Sequence, residues 1–153
     1  MSLKNLSVKI KIHKFYKDKL KDKRISNIYN KFEKSLNINQ NFAVAVSGGP
    51  DSLALAFLAK VYSMKRKVKS RFFTVDHKLR PESTIEAKNI KKLLKKFMID
   101  IEILTWNGRK PGSNIQSVAR EKRYDLLFKR CDNYEIKNIL LGHHQDDLFE
   151  NFF

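Results

Sequence analysis

The chain has 153 residues, of which 32 are Lys or Arg and 16 are Asp or Glu, so its formal net charge is +16. That length holds one domain with a substantial core and hardly two. Its one cysteine, Cys131, excludes a disulfide framework and any multi-cysteine zinc or iron–sulfur site built from this chain alone. No apolar run reaches bilayer length and the N-terminus has no apolar signal core, which favours a cytoplasmic protein without membrane contact.

Residues 1–40 carry eleven basic side chains against three acidic ones, half of the chain's positive excess. Within them an apolar stripe at helical spacing predicts a helix docked on the rest of the domain, formed by Ile25, Ile28, Tyr29, Phe32 and Leu36. Residues 36–41 then form a polar connector. Charge of this size favours a polyanionic partner such as RNA, although a lysine surface that only aids solubility is the alternative. A transit peptide is disfavoured because acids are present and lysine, not arginine, dominates.

The stretch from residue 42 to residue 62 organises the domain. Residues 42–46 (FAVAV) form an unbroken apolar run, typical of a strand that is covered on both faces of a sheet. Gly48 and Gly49 permit a tight turn, and Pro50 suits the first turn of the largely apolar helix that follows. A glycine turn between a buried strand and a helix N-terminus is an anion site, and the usual anion is phosphate.

The phosphate turn itself reads SGGPDS over residues 47–52. The Walker pattern and the dinucleotide pattern G-x-G-x-x-G are both absent. A carboxylate in a phosphate loop repels the anion unless a cation lies between them, so Asp51 is a natural Mg²⁺ ligand. The turn resembles the SGGxDS loop of the PP-loop ATP pyrophosphatases, which split ATP between the α- and β-phosphates. The alternative is a purely structural strand–turn–helix corner.

A second strand is predicted over residues 71–75, and it ends at Asp76 and His77, where ligands bind in open α/β sheets. Ser83 and Glu86 form a predicted capping box for a helix that turns five apolar residues inward: Ile85, Ile90, Leu93, Leu94 and Phe97. The segment VDHKLRPES is similar to the VDHGLRPES segment of the tRNA(Ile)-lysidine synthetase branch of the PP-loop enzymes, with Lys78 in place of the usual glycine.

Residues 99–103 alternate isoleucine with acids, which predicts an edge or half-covered strand. After a loop at 107–113, a helix is predicted from residue 114 with four residues on its core side: Ile115, Val118, Ala119 and Leu126. Arg120 and Arg123 share a face of it, an arrangement that suits phosphate or carboxylate recognition but also an ordinary basic surface. The run NIQSVAREKRYDLL is similar to the NIQ…AR…RY stretch of the same family.

Residues 139–141 predict another buried strand, Gly142 permits a sharp exit, and a helix is expected to open at His143. On that helix the spacing of His143, Asp147 and Glu150 brings an imidazole and two carboxylates to one side, near a strand end. The alternative is that the acids only complement the helix dipole. No HExxH pattern is present, so a zincin site is not supported. The segment resembles the family's GHHxDDxxET signature, with Asn151 in place of threonine.

These four segments span residues 42–151 and match one family in order. The resemblance implies an α/β fold with an open, mainly parallel, doubly wound sheet and helices on both faces. It also implies that the wobble cytidine of tRNA(Ile) is adenylated by ATP with Mg²⁺, after which L-lysine displaces AMP to give lysidine. ATP would be bound by Ser47, Gly48, Gly49, Pro50, Asp51 and Ser52. Catalysis would involve Asp51 as the Mg²⁺ ligand, Arg120 or Arg123 on phosphates or the lysine carboxylate, Asp147 and Glu150 on the lysine ammonium, and His143 in proton removal.

The domain organisation expected from the sequence is a basic helical extension at residues 1–40 and a PP-loop domain at 41–153, cut short at its C-terminal end. A homodimer is compatible with the resemblance, since members of the family are often dimers. Two alternatives stay open. One is another PP-loop tRNA-modifying enzyme of the 2-thiolation type, which the single cysteine disfavours. The other is an ATP- or RNA-binding module without catalysis, because the chain stops directly after the last signature and lacks further tRNA-binding domains.

Overall fold

The computed structural model describes residues 2–142. These residues form five helices and four strands: α1 (Leu3–Lys19), α2 (Lys23–Ser35), β1 (Phe42–Ala45), α3 (Pro50–Arg66), β2 (Ser70–Asp76), α4 (Ser83–Lys96), β3 (Ile101–Thr105), α5 (Ile115–Asn133) and β4 (Asn138–Leu141). From β1 onward strands and helices alternate, the pattern that produces a parallel sheet. No helix among the described residues is long and apolar enough to cross a membrane.

The four strands form one parallel sheet in the order β3-β2-β1-β4. In the centre, Ala43 of β1 is in register with Arg71 of β2 and with Ile139 of β4. The predicted central position of the FAVAV strand is confirmed, and Phe42, Ala43 and Val44 are fully buried. The predicted edge strand is also confirmed, although it runs over Ile101–Thr105 and not over 99–103.

Helices cover both faces of the sheet, so the doubly wound architecture is confirmed. One core cluster joins α1 to α4 and includes Tyr16, Tyr29, Tyr62 and Leu94. The other lies under α5 and includes Phe73, Leu127 and Cys131. A parallel sheet needs this double cover because its strands are apolar on both faces.

The N-terminal residues form two helices where the sequence indicated one stripe. On α2, Tyr29 is buried as predicted, whereas Ile28 is 57% exposed. The second helix, α1, buries Tyr16, whose hydroxyl donates a hydrogen bond to the carbonyl of Phe97 at the end of α4. The α1 helix was not predicted because its lysines are interspersed with apolar residues on every side.

Two predictions about α4 and one about α5 are wrong. Ser83 makes no capping box: its hydroxyl donates to the carbonyl of Arg80 at 2.8 Å, while the Glu86 carboxylate pairs with the Arg80 guanidinium at 2.9 Å. The apolar Ile85 and Leu93 are exposed, since the inner face of α4 is formed by Ala87, Ile90 and Leu94. Ile115 is likewise 47% exposed, because α5 buries residues of its second half, Leu127 and Cys131.

Candidate active site

The phosphate turn closes around the hydroxyl of Ser52. Ser52 is buried, its Oγ accepts from the backbone N–H of Gly48 at 3.1 Å, and it donates to the carbonyl of Gly49 at 3.0 Å. Ser47, which is exposed, donates its hydroxyl to the same oxygen at 3.2 Å. Ser52 therefore acts inside the turn as its internal support. The first-turn N–H groups of α3 have no intrahelical acceptors and provide the donors for an anion.

Two glycines are required at this site, Gly48 by its positive φ and Gly142 by close packing against backbone. Gly48 has φ +97°, and a Cβ there would lie 2.7 Å from Cδ1 of Ile90. A Cβ on Gly142, directly after β4, would lie 2.9 Å from the Cα of Ser52. Ile90 of α4 thus packs against the turn at Gly48, and the backbone at Gly142 packs against Ser52 in the first turn of α3. The sequence indicated the turn at Gly48 but gave no sign that Ile90 and Gly142 pack against it.

A cleft of about 130 Å³ opens beside the turn, at the carboxyl ends of β1, β2 and β4. Its polar lining comes from five elements or the turns that follow them: Ser47, Ser52, Thr74, His77, Ser83, Glu86 and Arg123. Of these, Ser83 and Glu86 were predicted only as a helix cap. Their role in the lining depends on α4 starting beside the phosphate turn, which local sequence patterns do not reveal.

The two arginines of α5 both lie near one aromatic ring. The guanidinium carbons of Arg120 and Arg123 are each 5.5 Å from the centroid of Tyr124. Arg123 lines the cleft together with Ser47 and Ser52, whereas Arg120 is absent from its lining. Stacking on an aromatic ring limits the freedom of a guanidinium and leaves its N–H groups available to an anion.

The segment after β2 is organised by Asp76. This carboxylate is buried, and it accepts hydrogen bonds from the Thr84 hydroxyl at 2.6 Å and the Lys78 N–H at 3.0 Å. Burial alone would raise the pKa of Asp76, but these hydrogen bonds, together with Ser83 and the charge of Lys78, outweigh it and the pKa is lowered. Lys78 has φ +50°, so it adopts the backbone conformation that glycine prefers, and the turn forms without a glycine.

His77 presents a neutral imidazole to the cleft. Burial and the nearby Arg80 guanidinium lower its pKa below the ordinary value. Its Nδ1 accepts the N–H of Leu79 at 3.2 Å, which leaves the Nε2 N–H as the donor. The sequence indicated only that His77 follows a strand, and the structure shows in addition that it lines the cleft.

The remaining predicted catalytic residues, His143, Asp147 and Glu150, lie outside the described residues. Their roles stay predictions. Gly142, the last described residue, lines the cleft together with Leu141. Within residues 2–142 there is no group of three or more His, Cys, Asp or Glu side chains placed to hold a metal ion. The single carboxylate of Asp51 is exposed in the first turn of α3.

Comparisons with known proteins place this geometry in a family. The model of the PP-loop domain family matches residues 8–153. The chain is 42% identical over 115 residues to the tRNA(Ile)-lysidine synthase of Orientia tsutsugamushi, which is 75% of this chain and 26% of that protein. It is 37% identical over 131 residues to the tRNA(Ile)-lysidine synthase of Rickettsia prowazekii, which is 82% of this chain and 30% of the relative. The chain thus spans less than a third of the length of these relatives.

Among solved structures, the chain resembles the U34-tRNA thiolase NcsA from Methanococcus maripaludis, solved with its 4Fe-4S cluster. The TM-score is 0.70 at 18% identity, and the match covers 82% of this chain and 48% of that one. At this identity the likeness concerns the fold. The match of the family model over nearly the whole sequence, with the SGG turn at the carboxyl edge of a parallel sheet, shows that the chain belongs to the PP-loop domain family.

Proposed function

We propose that this chain is the catalytic domain of a tRNA(Ile)-lysidine synthetase. In the first step the C2 oxygen of the wobble cytidine attacks the α-phosphorus of ATP and pyrophosphate leaves. In the second, the side-chain amine of L-lysine attacks C2 and AMP leaves, which changes decoding from AUG to AUA. The observation that carries the proposal is the cleft in which the phosphate turn meets Arg123 at the carboxyl edge of the sheet. The similarity to two curated synthases supports the choice of reaction.

The phosphates of ATP are proposed to bind at the N-terminus of α3. Gly49 is the N-cap, Pro50 occupies the first turn, and the positive end of the helix dipole faces the turn. The first-turn N–H groups donate to phosphate oxygens, and the Ser47 hydroxyl joins them by exchanging its hydrogen bond to Ser52 for one to a phosphate oxygen. Ser52 keeps the turn in shape through Gly48 and Gly49. Arg123 adds a charged donor from the opposite wall, and Arg120 supports it through their shared contact with Tyr124.

Asp51 fits the role of a Mg²⁺ ligand. Mg²⁺ commonly binds through one or two carboxylates and completes its shell with phosphate and water oxygens, so a single carboxylate next to the phosphate turn is sufficient. When bound, the ion would neutralise the charge that develops on the pyrophosphate leaving group. The carboxylate is solvent-exposed and lies at the start of α3, where it is accessible to a hydrated ion.

The second step needs a neutral lysine amine, because the ammonium has no lone pair for attack. We assign binding of the ammonium to Asp147 and Glu150 and removal of its proton to His143, on the strength of their spacing in the sequence. We also propose that the chain acts on tRNA in the cytoplasm and forms a homodimer. Analytical sedimentation of the purified chain would measure its oligomeric state.

A 2-thiolation enzyme is the alternative suggested by the shared fold with NcsA. Paired cysteines would serve such chemistry, but this chain has only Cys131. Cys131 is buried in the core under α5, and burial raises the pKa of its thiol. A buried, protonated thiol is a poor nucleophile and a poor metal ligand, so lysidine formation is favoured.

The test is tRNA-dependent exchange of labelled pyrophosphate into ATP, combined with incorporation of labelled lysine into tRNA(Ile). We expect both with the wild-type chain and Mg²⁺. The Asp51→Asn variant should lose exchange by at least about a hundredfold, since the charge on the leaving group is no longer neutralised. The matched control is Asp132→Asn, an exposed aspartate at the end of α5, which should keep full activity.

The outcomes separate the candidates. Exchange without lysine transfer would indicate another PP-loop modifying enzyme. Binding of ATP without exchange would indicate a binding module. Full activity of Asp51→Asn would refute the assignment of the metal ligand.

A further inference from the structure

The positive charge of this chain is concentrated on two helices. Helices α1 and α4 together carry eleven lysines and only two acidic residues, Asp18 and Glu86. Helix α5, which covers the other face of the sheet, carries five basic and three acidic residues. If the lysines served only solubility, we would expect them to be distributed over all the helices. The uneven distribution therefore points to a ligand for the side on which α1 and α4 lie.

The acids on α1 and α4 form their salt bridges with residues outside these two helices. Asp18 pairs with Lys21, outside α1, at 2.9 Å, and Glu86 pairs with Arg80, outside α4, at 2.9 Å. All eleven lysines are exposed, and none forms a salt bridge with another described residue. Their charge is thus available to an anionic partner.

Three of these lysines meet in one groove between the two helices. Lys11 of α1 and Lys91 and Lys95 of α4 line a groove of about 380 Å³ with an apolar floor that includes Val8, Ile12 and Met98. One acid, Asp100, also lines it, and the charge of Lys60 acts on that carboxylate from α3. Three lysines against one partly compensated acid leave the groove positive. The remaining lysines of α1 are not all in this groove: Lys9, Lys14 and Lys17 line another, against α3.

The groove and the cleft are lined by the same helix, α4. Ala87 and Ile90 of α4 line the cleft, and Lys88, Lys91 and Lys95 follow at spacings of three and four residues, on one side of the helix. At 1.5 Å per residue this row is about 10 Å long. A strand of nucleic acid whose base enters the cleft would pass its next phosphates over these lysines.

We infer that Lys88, Lys91, Lys95 and Lys11 form a track for the phosphate backbone of the RNA whose base is modified in the cleft. The inference rests on the proposed function for the identity of that RNA. Lysine is a flexible point charge, so the track holds the backbone and does not read its sequence. The partner is an RNA strand that lies over these lysines while one of its bases occupies the cleft. The track therefore contributes to tRNA affinity and takes no part in the chemical steps.

The experiment compares two triple variants of the full chain that lower the net charge equally. The track variant is Lys11→Gln, Lys91→Gln and Lys95→Gln. The matched control is Lys69→Gln, Lys129→Gln and Lys137→Gln, three exposed lysines of which two precede β2 and β4 at the amino edge of the sheet and one lies on α5. Binding of fluorescent tRNA is titrated at salt concentrations from about 50 to 200 mM, the range over which phosphate contacts change affinity steeply.

The salt dependence is the slope of log affinity against log salt concentration. We expect the steepness of this slope to fall by about 2 in the track variant, since each lost phosphate contact lowers the steepness by roughly 0.7–0.9. The control should change the slope by less than about 0.5, because it alters only the overall charge. Equal losses in both variants, or no loss in either, would overturn the inference. So would unchanged tRNA binding combined with a loss of binding to anionic lipid vesicles, which would assign the surface to membranes.

The labelled-lysine assay keeps this inference distinct from the proposed function. If the wild-type chain binds tRNA but transfers no lysine, the function fails, and a selective loss of tRNA affinity in the track variant still supports the track. If lysine transfer proceeds and the track variant keeps the KM for tRNA of the wild type, the function stands and the track is refuted.

Discussion

Gly48 is the residue on which the shape of the phosphate turn depends. Its φ of +97° belongs to a region that residues with a side chain rarely adopt, and Ile90 fills the space where a Cβ would stand. Gly49 next to it has an ordinary φ of −70°, and the nearest atom to its virtual Cβ, the Ser47 Oγ, is 3.9 Å away. Two adjacent glycines thus have unequal structural requirements.

We expect Gly48→Ala to lower the free energy of unfolding by about 2–3 kcal/mol, mainly because a φ of +97° strains an alanine, and partly because the Ile90 side chain must shift. Gly49→Ala is the control and should cost at most about 1 kcal/mol, because alanine is only a poorer helix cap. Urea unfolding measures both. Equal effects of the two substitutions would contradict the geometry of the turn.

The buried carboxylate of Asp76 should make the free energy of unfolding depend on pH. Its folded-state pKa is lowered, so it stabilises the fold above the unfolded value of about 3.9, and this contribution is lost as the pH falls through the folded pKa. Asp76→Asn should therefore lose stability at pH 7, and the difference from wild type should shrink below about pH 4. Urea unfolding between pH 3 and pH 7 measures this difference.

Thr84→Val is the companion variant, because it removes the hydroxyl that donates to Asp76 at 2.6 Å. Removing this bond raises the folded-state pKa of Asp76 toward its unfolded value, so the loss of stability with falling pH should be smaller in this variant than in wild type and should be complete at a higher pH. A penalty for Asp76→Asn that is the same at every pH would show that the carboxylate's charge is irrelevant.

At the scale of elements, α1 is fastened to the end of α4 by Tyr16. The ring is 1% exposed, and its hydroxyl donates to the carbonyl of Phe97. Tyr29 of α2 is equally buried, but its hydroxyl bonds within its own helix, to Glu33 at 3.2 Å. Residues 1–40 thus share a core with the sheet, while their expected status as a separate extension stays a prediction.

Tyr16→Phe should lower the free energy of unfolding by about 1–2 kcal/mol, because the partly buried carbonyl of Phe97 loses its donor. It should also speed amide hydrogen exchange throughout α1. Tyr29→Phe is the matched control and should leave exchange in α1 unchanged, since its hydrogen bond does not join α1 to α4. Unaltered α1 exchange in both variants would mean that Tyr16 does not hold the helix.

At the scale of the whole molecule, the sheet order brings the phosphate turn together with α4 and α5. Because β1 lies between β2 and β4 and the strands are parallel, the carboxyl ends of all three strands lie at one edge of the sheet. Binding of ATP there contacts several elements at once, so it should stabilise the whole folded state.

ATP with Mg²⁺ at about 100 times its Kd should add ~2.7 kcal/mol to the free energy of unfolding, which corresponds to a rise in Tm of about 5–10 °C. Removal of Mg²⁺ with a chelator should reduce the shift, and Asp51→Asn should show the reduced shift with and without the ion. A full shift in that variant would refute the metal assignment. Thermal unfolding followed by circular dichroism is the measurement.

The sequence by itself determined the alternation of buried strands with helices, the central strand and the phosphate turn. These features follow from local causes: apolar runs that must be covered on both faces, and glycines followed by a proline at a helix start. The edge position of the strand of alternating isoleucines was predictable for the same reason. So was the presence of Asp76 and His77 at a strand end.

Only the tertiary structure decided which residues meet. The contact of Ile90 with Gly48, the close approach of Gly142 to Ser52, and the difference between Arg123 in the cleft and Arg120 beside it depend on how distant elements pack. The buried face of α4 and the docking of α1 were settled in the same way. A helix's periodicity shows that it has an apolar side, but the neighbours that cover it are chosen by long-range contacts, which no local pattern records.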